Sequence, residues 1–163
     1  MKTINLSDVK NKIKDLVQEA NFELQDDVMK VVKDMEQKEE SPAGKAVFEQ
    51  IKQNAKIARD EKLGLCQDTG LAIFFIEMGE DVRFNYDDGL ESLRDAVTEG
   101  TRAGYEEGYL RKSVVEDPIR RKNTGDNTPV FIHWELDKGD HFKVTFVAKG
   151  GGAENMSQVR MFA

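Results

Sequence analysis

Apolar residues recur at helical spacing through the first third of the chain. Between residues 7 and 20 they predict an amphipathic helix with Ser7 as its N-cap. The same spacing from Leu24 to Met35 predicts a second helix, and Ser41 followed by Pro42 predicts the start of a third. We expect all three apolar stripes to be buried: Val9, Ile13, Leu16, Val17 and Ala20; Leu24, Val28, Val31, Val32 and Met35; and Val47, Ile51, Ala55 and Ala58.

The pattern changes beyond Lys62. A continuous apolar run at 71–78 predicts a buried strand, and small residues on one face predict a helix over roughly 88–108. Residues 111–129 follow no clear period and include two prolines, which indicates a long loop that is either functional or disordered.

Two alternating segments, 130–136 and 142–148, are separated by turn residues and predict a β-hairpin. Helices followed by strands indicate an α+β fold, in which N-terminal helices pack on a mixed β-sheet with a C-terminal β-hairpin. We expect one domain, made of a helical segment at 1–62 and a sheet portion at 63–163, with a last helix cut short by the C-terminal end.

The composition is that of a globular protein. Charged residues make up 34% of the 163 residues and apolar residues 39%, which argues against a disordered or membrane protein. The longest apolar run, Leu71 to Ile76, is far shorter than the ~20 residues that span a bilayer. The N-terminal residues lack a secretory apolar region and are poor in arginine, so we expect a cytoplasmic protein. A single cysteine, Cys66, excludes an internal disulfide framework.

The net charge of −7 argues against nucleic-acid binding, because phosphate contacts need a basic face. A basic cluster nevertheless follows the predicted helix at 88–108, and it consists of Arg111, Lys112, Arg120, Arg121 and Lys122. This basic cluster could bind a small anion, or it could be a solvated face.

Three short segments carry candidate chemistry. Cys66-Gln67-Asp68 places a thiol, an amide and a carboxylate in a turn, and the alternative is an inert buried thiol beside a turn-capping aspartate. Lys149-Gly150-Gly151-Gly152 could bind an anion through backbone N–H groups or be a flexible turn. In Lys122–Pro129, side chains that bond local backbone indicate an ordered loop. His133 and His141 have no ligand spacing and are expected to be ordinary strand residues.

Three longer stretches, taken in order, are more specific than any short segment. At these stretches the chain resembles class I fumarate hydratases and the related L-tartrate dehydratases: Gly64-Leu-Cys-Gln-Asp-Thr-Gly70, Lys122-Asn-Thr-Gly-Asp-Asn-Thr-Pro129 and Ala148-Lys-Gly-Gly-Gly-Ala-Glu-Asn-Met-Ser157. The resemblance extends over nearly the whole chain and is most specific from about residue 63 onward.

The resemblance implies the catalytic (alpha) subunit of a hydro-lyase that interconverts fumarate and (S)-malate. Such enzymes use a [4Fe-4S] cluster held by three cysteines, and the cysteine that matches is Cys66. The resemblance also implies that Asp68 donates or relays a proton. The groups that would bind the dicarboxylate substrate are Gln67, Asp68, Arg111, Gly150 and Gly151.

The resemblance puts the other two cluster cysteines and the base for the substrate C3 proton beyond residue 163. We therefore expect this chain alone to be inactive, to need a beta subunit or C-terminal domain, and to form homo- or hetero-oligomers. L(+)-tartrate dehydratase is the alternative within the family, because the motifs are shared. A non-catalytic anion-binding or assembly module is the alternative outside it, although the joint presence of Cys66, Gln67 and Asp68 argues against that.

Overall fold

The computed structural model describes residues 2–152 and 157–162. Helices and strands alternate in an α+β arrangement, which confirms the predicted fold class. The elements in chain order are β1 (Lys2–Asn5), α1 (Leu6–Phe22), α2 (Asp26–Lys38), α3 (Pro42–Glu61), β2 (Leu71–Gly79), β3 (Val82–Asn85), α4 (Leu93–Glu107), β4 (Phe131–Asp137) and β5 (Phe142–Lys149). The last helix was expected to start after the glycine segment; this predicted start falls on residues 153–156, which lie outside the described residues, and the described residues 157–162 are not helical.

The main sheet has the strand order β4-β2-β5. Its central strand β2 pairs with β4 in parallel and with β5 in antiparallel orientation, so the sheet is mixed, as predicted. The hairpin prediction needs a correction. A short turn joins β4 to β5 and the two strands run antiparallel, but β2 lies between them and they share no hydrogen-bonded ladder.

The turn between β4 and β5 passes over the end of β2, and this explains why the two strands are not direct neighbours. The Glu80 N–H donates to the Asp137 carbonyl at 2.8 Å, and the Asp81 N–H donates to the Gly139 carbonyl at 2.9 Å. Gly79 makes the crossing possible, since a Cβ at this position would lie 2.1 Å from the Gly139 oxygen. The apolar strand β2 thereby gains a partner on each side.

A second, two-stranded sheet pairs β1 with β3 in parallel, in a register that joins Lys2 to Val82 and Asn5 to Asn85. Neither strand was expected from the sequence. Each is four residues long, so neither has the sustained alternation that marks a strand in a sequence.

The core lies between the α1–α4 pair and the buried face of the main sheet, where Phe74 and Phe146 are in ring contact at 5.0 Å. The stripe of α1 is buried there, as predicted. Two glycines of α4 allow the two helices to approach closely. A Cβ on Gly100 would lie 2.4 Å from the Lys10 carbonyl oxygen, and one on Gly104 would lie 2.9 Å from Val17.

The stripes of α2 and α3 are largely exposed, contrary to expectation. No residue of α2 is buried, and Val31 is 58% exposed. On α3 only Ala55 and Ala58 of the predicted stripe are buried, whereas Val47 and Ile51 are exposed. The physical reason is that α2 and α3 pack mainly on each other, outside the layer that covers the sheet.

Helix starts agree with the sequence at α3 but not at α1 or α4. The Ser41 side chain accepts the Gly44 N–H at the start of α3, as predicted. Ser7 lies inside α1 and does not cap it, because α1 already begins after Asn5, and its N–H and hydroxyl instead contact the Asp87 carboxylate. Helix α4 begins at 93, after an N-cap at Ser92 and later than predicted, because the left-handed φ of +54° at Asp88 does not fit a right-handed α-helix. Among the described residues, no helix is both long enough and apolar enough to span a lipid bilayer.

Candidate active site

The turn between α3 and β2 is attached to two helices. Lys62, with a left-handed φ of 57°, ends α3. The Leu65 N–H then donates to the Asn21 carbonyl of α1 at 2.8 Å, and the Asn54 side chain of α3 donates to the Leu65 carbonyl at 2.8 Å. These bonds hold the Cys66–Asp68 segment at the N-terminal end of β2.

Asp68 joins this turn to the glycine segment that follows β5. Its Oδ2 accepts the Gly151 N–H at 2.8 Å, and its Oδ1 accepts the Gly70 N–H at 3.2 Å. The Gly151 N–H holds the pKa of Asp68 below its ordinary value of 3.8, against the opposing effect of burial. The N–H groups of Gly70 and Gly152 and the charge of Arg111 lower this pKa further. Asp68 is therefore a carboxylate at neutral pH.

This state of Asp68 bears on two roles expected from the sequence. A carboxylate accepts a proton before it can donate one, so a donor role for Asp68 needs an earlier proton uptake. The Gly151 N–H, expected to hold a substrate carboxylate, already donates to Asp68. Gly150 lies beside the same carboxylate, since a Cβ there would be 3.1 Å from the Asp68 Oδ2.

Gly70 brings the turn and the glycine segment into contact. Its φ is +70°, and a Cβ on it would lie 2.4 Å from the carbonyl carbon of Lys149 and 2.6 Å from the Gly150 nitrogen. A side chain at this position would therefore separate the two segments. The next residue, Leu71, pairs with Lys149 in the ladder between β2 and β5, so the contact continues the register of the sheet.

Arg111 reaches the same site from the end of α4. The Leu110 N–H donates to the Tyr105 carbonyl at 3.0 Å, which closes the helix, and the Arg111 carbonyl accepts the Thr69 hydroxyl at 2.6 Å. The Arg111 side chain is exposed, and its charge lowers the pKa of Asp68 after the larger effects of the Gly151 N–H, burial and other backbone N–H groups. The structure thus brings an arginine, a carboxylate and a glycine segment together.

The other cations of the basic cluster contribute less to this site. Lys112 forms an ion pair with Glu106, and Lys122 forms one with Glu116 at 3.2 Å. The surrounding loop is ordered, as expected for its Asn, Thr and Asp content. The Asp126 Oδ1 accepts both the N–H and the hydroxyl of Thr128, and the Asn123 Oδ1 accepts the Gly125 N–H at 2.7 Å.

Two buried residues with polar side chains, Tyr105 and Asn127, lie behind the site and were not singled out from the sequence. The Tyr105 hydroxyl donates to the Thr69 carbonyl at 2.8 Å, and burial raises the pKa of Tyr105 to about 12. Asn127 is fully buried, and it joins Gly70 to Ser113 through side-chain hydrogen bonds. The available signal for Asn127 was an asparagine two residues before a proline in a polar loop, which is common in ordinary turns.

Cys66 is a free, exposed thiol, which excludes the alternative of an inert buried cysteine. Its Sγ accepts the Asp68 N–H at 3.4 Å. Gln67 is exposed beside it. Over the described ranges, no group of three or more His, Cys, Asp or Glu side chains could hold a metal ion, so Cys66 fits a metal site as one ligand only.

A family model described as "Fumarate hydratase (Fumerase)" matches residues 10–163. The chain belongs to the fumarate hydratase family. This confirms the resemblance found at the three signature stretches. The similar proteins carry the names of two kinds of enzyme.

The relatives include L(+)-tartrate dehydratase alpha subunits and fumarate hydratases. A protein of Methanocaldococcus jannaschii, provisionally named as such an alpha subunit, is 33% identical over 97% of this chain and 55% of its own length. The L(+)-tartrate dehydratase subunit alpha of Escherichia coli strain UTI89 is 32% identical over 93% of this chain and 51% of its own length. The anaerobic class I fumarate hydratase of Escherichia coli K12 is 35% identical over 72% of this chain and 21% of its own length. The chain thus spans about half the length of the tartrate dehydratase subunits it matches.

Proposed function

We propose that this chain is part of the alpha portion of an iron–sulfur hydro-lyase that interconverts fumarate and (S)-malate. One observation carries the proposal: Asp68, the charge of Arg111 and the glycine segment meet at one end of the main sheet. A dicarboxylate substrate needs a cation and hydrogen-bond donors close together, and this end of the sheet offers both.

Arg111 is the proposed contact for one substrate carboxylate. Its exposed guanidinium presents a planar fork of donors, which matches the two oxygens of a carboxylate. The exposed amide of Gln67 is the proposed second hydrogen-bond donor, and the Gly150 N–H is the proposed donor to the other substrate carboxylate. The Gly151 N–H can donate to the substrate carboxylate only when its hydrogen bond to Asp68 is broken.

Asp68 is the proposed proton relay. Backbone N–H groups hold it as a carboxylate, so it accepts a proton first and returns it later in the reversible hydration. Its neighbour Cys66 is the proposed ligand to a [4Fe-4S] cluster in the complete enzyme. When bound, that cluster would supply a Lewis-acidic iron for the substrate hydroxyl and carboxylate.

A partner chain is part of the proposal. Relatives at about half-length coverage are named as alpha subunits, which favours a separate beta subunit or a C-terminal domain in the complete enzyme. We further propose that this enzyme acts in the cytoplasm as a homo- or hetero-oligomer.

L(+)-tartrate dehydratase is the second candidate, and a specific observation favours it. The tartrate dehydratase subunits align with 93–97% of this chain, whereas the fumarate hydratases align with 72–86%. The site residues do not separate the two, because fumarate, malate and tartrate all present two carboxylates to the same groups.

The deciding experiment uses the complete protein with its partner chain, assayed for fumarate hydration and for tartrate dehydration. Activity toward fumarate or (S)-malate supports the proposal, and activity toward tartrate alone supports the second candidate. No activity toward either substrate, in a preparation that carries its cluster, would contradict both.

Two variants test the proposed roles. Cys66→Ser should lose the visible absorbance of the cluster together with activity, because it removes a ligand. Asp68→Asn should keep the absorbance but lower kcat by roughly 10²–10⁴. The matched control is Asp87→Asn, since Asp87 also has a lowered pKa but pairs with Ser7 at the start of α1. An equal kcat for both aspartate variants would remove Asp68 from the proposed mechanism.

A further inference from the structure

We infer that Asn127 is a positioning residue that fixes Arg111 relative to Asp68, an inference that rests on the proposed function of this site. Asn127 lies between the two stretches of chain that carry these groups. Gly70 is two residues after Asp68, and Ser113 is two residues after Arg111. The Asn127 side chain hydrogen-bonds to both stretches at once.

The amide of Asn127 uses both of its ends. Its Oδ1 accepts the Ser113 N–H at 2.8 Å and the Val114 N–H at 3.1 Å, and its Nδ2 donates to the Gly70 carbonyl at 3.0 Å. An uncharged amide accepts at one atom and donates at the other, which an ionised carboxylate cannot do. A carboxylate of the same shape would put an oxygen against the Gly70 oxygen.

Burial and backbone conformation make this bridge specific. Asn127 is 0% exposed, so each of its bonds is made without competition from water and is costly to lose. Its φ is +62°, a left-handed value that asparagine adopts more readily than most residues. The neighbouring Asp126 accepts a hydrogen bond from Arg102 of α4 at 2.7 Å, which fixes the loop that presents Asn127.

A second connection joins the same two stretches. The Thr69 hydroxyl donates to the Arg111 carbonyl at 2.6 Å, and the Thr69 carbonyl accepts the Tyr105 hydroxyl at 2.8 Å. Thr69 therefore holds the carbonyl of Arg111 itself, and Asn127 holds the backbone two and three residues further along. Because a small misplacement of a binding group can cost orders of magnitude in rate, this spacing matters to an exposed arginine that has to meet a substrate carboxylate.

The test is a double-mutant cycle in the complete protein with its partner chain, using Asn127→Asp, Arg111→Met and the double variant. Asn127→Asp should raise KM for the dicarboxylate by about tenfold, with a smaller change in kcat, because a binding group is displaced. If Asn127 acts through Arg111, the double variant should have a KM within about threefold of Arg111→Met alone. A purely structural role would instead make the two effects multiply.

Controls separate this inference from a loss of folding. Thr101→Val removes a similarly buried hydrogen bond, which the Thr101 hydroxyl donates to the Val97 carbonyl of its own helix, so it should lower stability without the KM change. Thr69→Val keeps the shape of the side chain and removes the bond to Arg111, so it repeats the test if Asn127→Asp does not fold. If the KM increase of the double variant equals the product of the two single-variant increases, the inference is overturned and the proposed function is left intact. A wild-type KM in Arg111→Met would refute the proposed role of Arg111 and this inference with it.

Discussion

Two helix pairs of this protein have equally regular apolar stripes but different environments. The α1–α4 pair buries its stripe against the sheet, with Val9, Ile13 and Val17 nearly inaccessible. The α2–α3 pair leaves Val31 and Val47 more than half exposed. A stripe at helical spacing therefore predicts a helix reliably, but it does not say which surface the helix covers. In this chain the deciding feature is the glycines of α4, which let α1 approach.

The largest expected contrast comes from one substitution in each pair. Ile13→Ala should lower the free energy of unfolding by about 2–5 kcal/mol, because it leaves a cavity in the core. Ile51→Ala, in the exposed stripe of α3, should lower it by less than about 1 kcal/mol. Urea unfolding followed by circular dichroism measures both. Equal losses would show that the α2–α3 stripe is packed in solution.

Glycine substitutions sharpen the contrast at the helix contact. Gly100→Ala should cost about 1–3 kcal/mol, because the new methyl meets the backbone oxygen of Lys10. Gly44→Ala is the control on α3, where the methyl meets only the flexible Glu39 side chain and helix propensity improves. Thermal unfolding of the two variants should shift in opposite directions, and a Gly100→Ala protein as stable as the wild type would contradict the close approach.

A pH-dependent effect is expected where the sheet meets the site. Asp68→Asn should cost about 1 kcal/mol at neutral pH, because Asn loses the charge that the Gly151 and Gly70 N–H groups stabilise. The pKa of Asp68 is lower in the folded than in the unfolded state, so its contribution is complete above the ordinary value of 3.8. It is lost as the pH falls through the folded-state pKa.

The stability difference between the wild type and Asp68→Asn should therefore shrink as the pH is lowered below about 4. Urea unfolding at pH 7, 5 and 3 measures this difference. A difference that stays constant across these pH values would show that the Asp68 carboxylate gains nothing from the glycine segment.

The smallest effect should come from the exposed stripe itself. Val31→Lys on α2 should change the free energy of unfolding by no more than about 0.5 kcal/mol, because the side chain is already 58% exposed. A large loss of stability in Val31→Lys would place α2 in the core after all.

The sequence predicted more of the individual elements than of their arrangement. Helical spacing and the Ser41 cap located three helices, and the apolar run located β2. The position of β2 between β4 and β5 was missed, because a short turn between two strands favours direct pairing. What allows the crossing is the absence of a side chain at Gly79, a contact with Gly139 that no local pattern reveals.

For the candidate site too, the sequence indicated individual residues better than the contacts between them. Its signature stretches brought Cys66, Asp68 and the glycine segment into consideration, the basic cluster brought Arg111, and Asp68 and Arg111 interact in the structure. Their substrate roles stay predictions. Asn127 could not have been found in this way, because its importance comes from bonds to residues 57 and 14 positions away in the sequence.

The pairing of Leu71 with Lys149 has a consequence for biosynthesis. The shortest hydrogen bond to the Asp68 carboxylate comes from the Gly151 N–H, which lies 83 residues further along the chain. Asp68 therefore leaves the ribosome well before this donor has been made. Until β5 has been made and has joined β2, this carboxylate has only the nearby Gly70 N–H from within its own turn. If the register of β5 against β2 shifted by one residue, the glycine segment would move by about 3.3 Å along the strand. The side chains of β5 would then point to the opposite face of the sheet. The site is thus assembled in a late folding step, and correct strand alignment is the condition for its existence.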